Sequence, residues 1–190
     1  MEEATRREVR EGRVEPLTLG DKRIIAHQIG RDARGVIAIP RRCAYGYPQV
    51  ATVYPLLDRE PFPTMYWLTC PYLHREIAAL ESEGMIARIE ERIASDPALA
   101  EQVMRAHRSY IGQRLKLLSP DDLAYLEERR MLPALTQRGI GGIANFARIK
   151  CLHLHAAHAL VGDNPIGEIV LNSLATDACP RSDVLCRSFR

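Results

Sequence analysis

Thr64-Met65-Tyr66-Trp67-Leu68-Thr69-Cys70-Pro71 is the stretch in which the chain changes from one kind of structure to another. Its first six residues are rich in aromatic and β-branched side chains, which favour a strand. Pro71 suits the first turn of a helix, and Leu73, Ile77 and Leu80 then recur at helical spacing. The stretch therefore predicts a boundary between an N-terminal sheet and a C-terminal helical region.

Strand-like runs precede this boundary. Ile24-Ile25, residues 35–40 and residues 49–55 are rich in β-branched residues and are separated by Gly and Pro. Together with the run before Cys70, they predict a small antiparallel sheet of three or four strands.

Helical periodicity continues after the boundary. Gly84 ends the first helix, Asp96-Pro97 opens a long one, and Ser119-Pro120 caps the start of another. We expect a further helix from Ile143 to Val161 and a short one from Ile166 to Leu174.

The predicted fold class is α+β, with a small N-terminal antiparallel sheet packed against a C-terminal helical bundle. The sheet would occupy residues 23–70 and the bundle residues 71–174, which together form a single α+β domain of residues 23–174. We expect residues 1–22 to form a charged flexible arm and residues 175–190 a polar C-terminal tail. The length of 190 residues suits one domain with a sizeable core.

The composition argues against some classes of function. The chain is 46% hydrophobic and 26% charged with a net charge of +2, which is typical of a globular protein and argues against a nucleic-acid partner. It has neither an export signal nor a long apolar segment, so we expect a cytoplasmic protein with no membrane contact. Five cysteines are then expected to be reduced thiols or metal ligands. No motif identifies a protein partner.

Half of the six histidines lie in Lys150-Cys151-Leu152-His153-Leu154-His155-Ala156-Ala157-His158. If this segment is helical, Cys151, His155 and His158 share one face. Thiolate and imidazole are ligands that zinc prefers, so the segment predicts part of a metal site.

Two more cysteines are candidates for the same site. Cys43 lies in a turn between two predicted strands, and Cys70 directly precedes a helix, whose N-terminal dipole would favour its thiolate. Convergence of both on Cys151, with His158 as a further ligand, would suit zinc. Three thiolates around an open position would also suit an iron-sulfur cluster.

Secondary roles are expected for other polar residues. His153, His155 and His74 are possible further ligands or groups that orient the ligands, and Arg42 and Lys150 could hold a small anionic ligand. Cys179 and Cys186 lie in the polar tail, where no constraint on them is predicted.

Two other functions stay open. One is a metal-free thiol enzyme with Cys70 as nucleophile and His158 or His74 as base. The other is a non-catalytic interaction module in which the cysteines only pack. Whether the protein is an enzyme is open at this point.

Three blocks of sequence resemble one bacterial family, Domain of Unknown Function 501, over roughly residues 23–172. The blocks are Arg42-Cys43 with Gly46 and Pro48, Pro61-Phe62-Pro63-Thr64 with Tyr66-Trp67-Leu68-Thr69-Cys70-Pro71, and Lys150-Cys151-Leu152-His153 with Ala157-His158 and Asn164-Pro165-Ile166-Gly167. The resemblance implies that Cys43, Cys70, Cys151, His153 and His158 match the cysteine and histidine positions of the family, and that His155 matches them less clearly.

Overall fold

A computed structural model describes residues 17–189, so residues 1–16 of the predicted arm lie outside the described residues. Helix α1 (Leu19–Ile29) opens the described part. The Thr18 hydroxyl accepts the Asp21 N–H, and the Asp21 carboxylate accepts the Thr18 N–H. This capping box starts a helix where the sequence predicts the end of the arm and then a strand at Ile24-Ile25. The strand expected at Ile24-Ile25 is therefore wrong, and the helix begins within the last four residues of the predicted arm.

Three antiparallel strands form the main sheet. In chain order the strands of the protein are β1 (Val36–Arg42), β2 (Pro48–Val53), β3 (Leu56–Leu57), β4 (Glu60–Pro61) and β5 (Tyr66–Leu68). The main sheet has the order β1-β2-β5, and β3 and β4 pair as a separate hairpin. The predicted N-terminal antiparallel sheet is confirmed.

Helices follow the sheet and confirm the α+β class. They are α2 (Pro71–Ser82), α3 (Met85–Ser95), α4 (Pro97–Lys116), α5 (Pro120–Glu128), α6 (Pro133–Thr136), α7 (Leu152–Ala159) and α8 (Pro165–Asn172), with 3-10 turns at Ile140–Gly142 and Leu185–Phe189. The side chains of Asp96 and Ser119 cap α4 and α5, as their sequence contexts predict.

The predicted helix from Ile143 to Val161 is wrong in its first half. Residues 143–151 are irregular, and the backbone of Cys151 is extended. Two N–H groups of this region bind carboxylates instead of helical carbonyls, Ile149 on Glu90 and Leu152 on Glu81. Cys151 therefore does not share a helical face with His155 and His158.

The sheet is covered on both faces. Val50 and Leu68 belong to the larger core cluster, which α2, α3, α4, α7 and α8 complete. Ala51 and Val53 point to the opposite side and pack with Ile25 of α1. Alternation along the strands supplies an apolar residue to each face, so the sheet is held between α1 and the helical bundle.

The C-terminal segment packs back onto the sheet region, although its sequence is polar. Val184 and Cys186 are buried with Tyr47, and the Phe189 ring stacks on His27 at 5.5 Å between centroids. Cys186 is only 4% exposed, which contradicts the expectation that it is unconstrained. Across residues 17–189, no helix combines the length and the apolar character needed to cross a bilayer.

Arg114 joins α4 to two loops. Its guanidinium is fully buried and donates hydrogen bonds to the backbone carbonyls of Pro63, Leu135 and Arg138. Five donors in a planar fork suit several carbonyls at once.

We expect Arg114→Met to lower the free energy of unfolding by about 3 kcal/mol or more, because it leaves buried carbonyls without donors. Urea unfolding followed by circular dichroism measures this loss. Arg105→Met is the matched control on α4: Arg105 is 59% exposed and pairs with Glu101, so a loss of no more than about 0.5 kcal/mol is expected. Equal losses in the two variants would contradict a bridging role for Arg114.

Candidate metal centre

Glu81, Cys151 and His153 bring three potential ligand atoms together. One atom from each, a carboxylate oxygen, a thiol sulfur and an imidazole nitrogen, lies within 4.8 Å of the other two, and all three residues are partly buried. Among residues 17–189, no other group of three cysteine, histidine or acidic residues meets this spacing.

Two helix ends create this arrangement. Glu81 lies in the last turn of α2, Cys151 is the residue that precedes α7, and His153 is the second residue of α7. The Glu81 carboxylate accepts the N–H of Leu152, which would otherwise be an unpaired donor at the start of α7. The same carboxylate therefore positions the helix that carries the other two groups.

The His153 ring has a fixed orientation. Its Nε2 lies 3.1 Å from the His74 carbonyl, which can only accept, so Nε2 carries a proton. Its Nδ1 lies 3.2 Å from Glu81 Oε1. A neutral ring would then point the Nδ1 lone pair at a carboxylate, and only a second proton or a metal cation makes this contact favourable.

The surroundings of His153 favour a positive charge on its ring. Burial lowers the pKa of His153, but hydrogen bonds to Cys151 and the His74 carbonyl, together with the Glu81 carboxylate, outweigh it and raise the pKa above its usual value. The His74 ring stacks on His153 at 4.3 Å between centroids. His74 has a lowered pKa, because of burial and of the neighbouring His153. Positive charge is thus favoured at His153 and disfavoured at His74.

A cavity of about 640 Å³ opens beside this group. Cys151 and His153 line it together with Lys150, and Arg31 and Trp67 line it as well. The Arg31 guanidinium lies over the Trp67 ring at 4.5 Å, and Lys150 Nζ donates to the Gly141 carbonyl at 3.2 Å. Two cationic side chains held in this way favour an anionic ligand in the cavity.

The predicted set of Cys43, Cys70, Cys151 and His158 is not assembled. Within the described part of the chain, no three of these residues meet the spacing of ligands on one ion. Cys70 precedes α2 and Glu81 lies near its end, so the helical rise puts about 16 Å between their Cα atoms. Because Cys151 lies beside Glu81, it contacts the end of α2 opposite to Cys70.

His155 and His158 lie in the core instead. The Asn164 amide is within hydrogen-bonding distance of both rings, 3.3 Å from Nδ1 of His155 and 3.1 Å from Nδ1 of His158. Burial lowers the pKa of His155 to about 3 and that of His158 to about 4. Both rings are therefore neutral parts of the packed interior, and the ligand role predicted for His158 is wrong for the Cys151 site.

Cys70 is not the activated thiol that its place before α2 predicts. It is 5% exposed, and burial raises its pKa to about 11, although the N–H groups of Leu73 and Tyr72 act in the opposite direction. Desolvation of the thiolate exceeds the effect of the helix N-terminus. A metal-free nucleophile at Cys70 is inconsistent with this environment.

The two predicted anion-binding residues have different surroundings. Lys150 lines the cavity. Arg42 lies elsewhere and forms an ion pair with Asp21 at 2.9 Å. Burial raises the pKa of Asp21, but the hydrogen bonds from Arg42 and Thr18 together outweigh it and lower the pKa.

Sequence reasoning missed Glu81 and Arg31. Glu81 follows His74 by two helical turns, which places both on one side of α2, and this spacing was the available signal. Arg31 gives no comparable signal, since only the packing of α1 on the sheet brings it to the cavity.

The chain matches the sequence model of one family, described as Protein of unknown function (DUF501), over residues 39–172. This range includes Glu81, Cys151 and His153 but not Arg31, Cys179 or Cys186. Neither curated proteins nor solved structures yielded a significant match to the chain.

Buried histidines make stability dependent on pH. The pKa of His107 and that of His158 are lowered by burial from 6.5 to about 4. The unfolded chain therefore takes up these protons at a higher pH than the folded chain. We expect the contribution of these two histidines to the free energy of unfolding to be constant above about pH 6.5 and to fall towards pH 4, by up to about 1.4 kcal/mol per pH unit for each histidine.

Urea unfolding at a series of pH values measures this slope. The Nδ1 of His107 accepts the Ile140 N–H at 3.0 Å, and an asparagine oxygen can replace this acceptor. His107→Asn should therefore reduce the slope, whereas His27→Asn, at an exposed position, should leave it unchanged. A slope that is the same in His107→Asn and wild type would show that His107 is not kept neutral by the fold.

Proposed function

Because the chain belongs to the DUF501 family of proteins of unknown function, as its three sequence blocks predict, we propose a function from the geometry of its own residues. Glu81, Cys151 and His153 bind one zinc ion at the wall of the cavity, and the protein is a hydrolytic enzyme that acts there on a small anionic substrate.

The orientation of His153 carries this proposal. Nε2 is bound to the His74 carbonyl, which leaves Nδ1 as the nitrogen that faces Glu81. A backbone carbonyl that holds one imidazole nitrogen while the other binds metal is the usual support of a zinc-ligating histidine. The thiol and the carboxylate supply two further ligand types that zinc accepts.

Three protein ligands favour catalysis over a purely structural role. Structural zinc sites have four protein ligands, and catalytic sites have three with a water molecule in the remaining position. Zinc lowers the pKa of such a water to about 7, which supplies a nucleophile at neutral pH. Cys151 and His153 both line the cavity, so the remaining position is accessible to a ligand there.

The cavity supports the proposed substrate class. Its volume of about 640 Å³ suits a small molecule. Arg31 and Lys150 supply positive charge, and Trp67 supplies an apolar surface. A phosphate or carboxylate group would pair with the two cations, and the rest of the substrate would contact the aromatic ring.

We expect about one zinc ion per chain in protein purified without chelators, and loss of that zinc in Glu81→Gln, Cys151→Ser and His153→Ala. Removal of a ligand should weaken zinc binding by more than about a hundredfold, because even the residues that support ligands contribute ten- to a hundredfold. Elemental analysis and competition with a chromophoric chelator measure both quantities. In cobalt-substituted protein, a sulfur-to-cobalt charge-transfer band should disappear in Cys151→Ser.

Glu83→Gln is the matched control, since Glu83 is an exposed carboxylate just after α2. It should bind zinc as the wild type does. Absence of zinc from the wild type, or its retention in all three ligand variants, would refute the zinc site.

A second expected result concerns the cavity. Inorganic phosphate should bind to the zinc-loaded protein, and Lys150→Gln and Arg31→Gln should each weaken this binding about tenfold, the equivalent of one lost charge-assisted bond. Isothermal titration calorimetry measures the affinity, and Lys116→Gln, which changes an exposed lysine away from the cavity, is the control. Equal affinities in all variants would exclude these two cations as the anion site.

A thiol enzyme centred on Cys151 is the second candidate. Cys151 lies beside His153 and contributes to its raised pKa, and both features are also those of a thiolate-imidazolium pair. Zinc-free wild-type protein in which iodoacetamide selectively alkylates Cys151 would favour this candidate. Protection of Cys151 by bound zinc would favour the metal site.

A further inference from the structure

Four of the five cysteines, Cys43, Cys70, Cys179 and Cys186, lie outside the candidate metal centre. The strand register brings two of them to one end of the sheet. Arg42 pairs with Pro48 and Val50 pairs with Leu68, so Cys43 directly follows β1 and Cys70 follows β5 at the same end, on either side of β2.

Hydrogen bonds bring the C-terminal segment to this end of the sheet. The Gln28 amide donates to the Pro48 carbonyl at 2.8 Å and to Cys186 Sγ at 3.3 Å, which places Cys186 beside the first residue of β2. The Tyr45 hydroxyl donates to the Cys179 carbonyl at 2.9 Å, which places Cys179 beside the turn that begins with Cys43.

Cys70 and Cys186 are buried, and Cys43 and Cys179 are partly buried. Cys43 packs against the cluster of Tyr47, Val184 and Cys186, and Cys179 packs against the cluster that contains Cys70. Cys43 and Cys186 therefore share one apolar cluster, and Cys70 and Cys179 share the other.

We propose that Cys43, Cys70, Cys179 and Cys186 are the four ligands of an iron-sulfur cluster that fastens the C-terminal segment to the end of the sheet. This site is separate from the proposed zinc site and does not depend on it.

The spacing of the thiols does not suit a single zinc ion. Sulfur ligands of one zinc ion lie within roughly 4 Å of each other, because Zn–S bonds are about 2.3 Å long. Among the described residues, no three of these cysteines meet even a 4.8 Å limit. An iron-sulfur cluster places several atoms between its thiolates and holds them farther apart.

The groups around the sulfurs also suit such a cluster. The Gln28 amide donates to Cys186 Sγ, and Cys70 stands directly before the first turn of α2, where backbone N–H groups have no helical carbonyl to bind. Donors of this kind stabilise the negative charge on cluster sulfurs and adjust the reduction potential. The apolar cluster around Cys186 limits access of water and oxygen.

Protein purified under strict exclusion of oxygen tests the proposal. We expect iron and acid-labile sulfide in equal amounts, about two to four of each per chain, with the visible absorption of sulfide-to-iron charge transfer. Cys179→Ser and Cys186→Ser should lose both, whereas Cys151→Ser should retain them. Serine is close in size to cysteine, and circular dichroism of each variant verifies that it folds.

Other results would overturn the proposal. These are wild-type protein without iron or sulfide, zinc without sulfide that is lost in Cys186→Ser, disulfides among the four cysteines in mass spectra, or iron retained in Cys179→Ser and Cys186→Ser. Zinc measured in the same samples reports separately on the other site, because its loss should follow Glu81→Gln, Cys151→Ser and His153→Ala only.

Discussion

The Glu81 carboxylate is the interaction on which the arrangement of the candidate site depends. It joins the end of α2 to the start of α7 through the Leu152 N–H, and it faces Nδ1 of His153. A helix start with an unpaired donor would be costly in this partly buried place, so one carboxylate both stabilises α7 and positions its ligands. The Glu81 side chain therefore serves both the stability of α7 and the proposed chemistry of the site.

Most strands and helices could be predicted from nearby residues in the sequence. Where a prediction was wrong, contacts between distant residues were the cause. The strands before Cys70 and the capped starts of α4 and α5 follow from residues within a few positions. The segment of residues 143–151 has helical periodicity, yet the N–H groups of Ile149 and Leu152 bind glutamates on α3 and α2. No pattern within that segment could reveal partners about sixty to seventy residues away, and tertiary context overrides propensity in such cases.

The sequence could identify candidate ligands but not which of them lie together. Residue types made Cys151 and His153 candidates, because thiol and imidazole are recognisable ligands in any sequence. Which other residues lie beside them depends on which ends of strands and helices come together. The strand register determines that arrangement, and sequence patterns do not reveal it. Cys43 and Cys70 lie at one end of the sheet, on either side of β2, and a hydrogen bond from Gln28 holds Cys186 there. Cys151 lies elsewhere.

Helix α2 separates the two proposed sites and explains how one small domain can hold both. Cys70 stands before its first residue and Glu81 near its last, about 16 Å apart by helical rise. A rigid helix of this length prevents the thiols at the end of the sheet from reaching the proposed zinc site beside Glu81. The ligand types differ accordingly, with four thiolates at one end and a mixed set of oxygen, nitrogen and sulfur at the other. Softer, all-sulfur ligation suits iron-sulfur clusters, and mixed ligation with one open position suits zinc catalysis. The chemistry of each site thus follows from which end of α2 contributes to it.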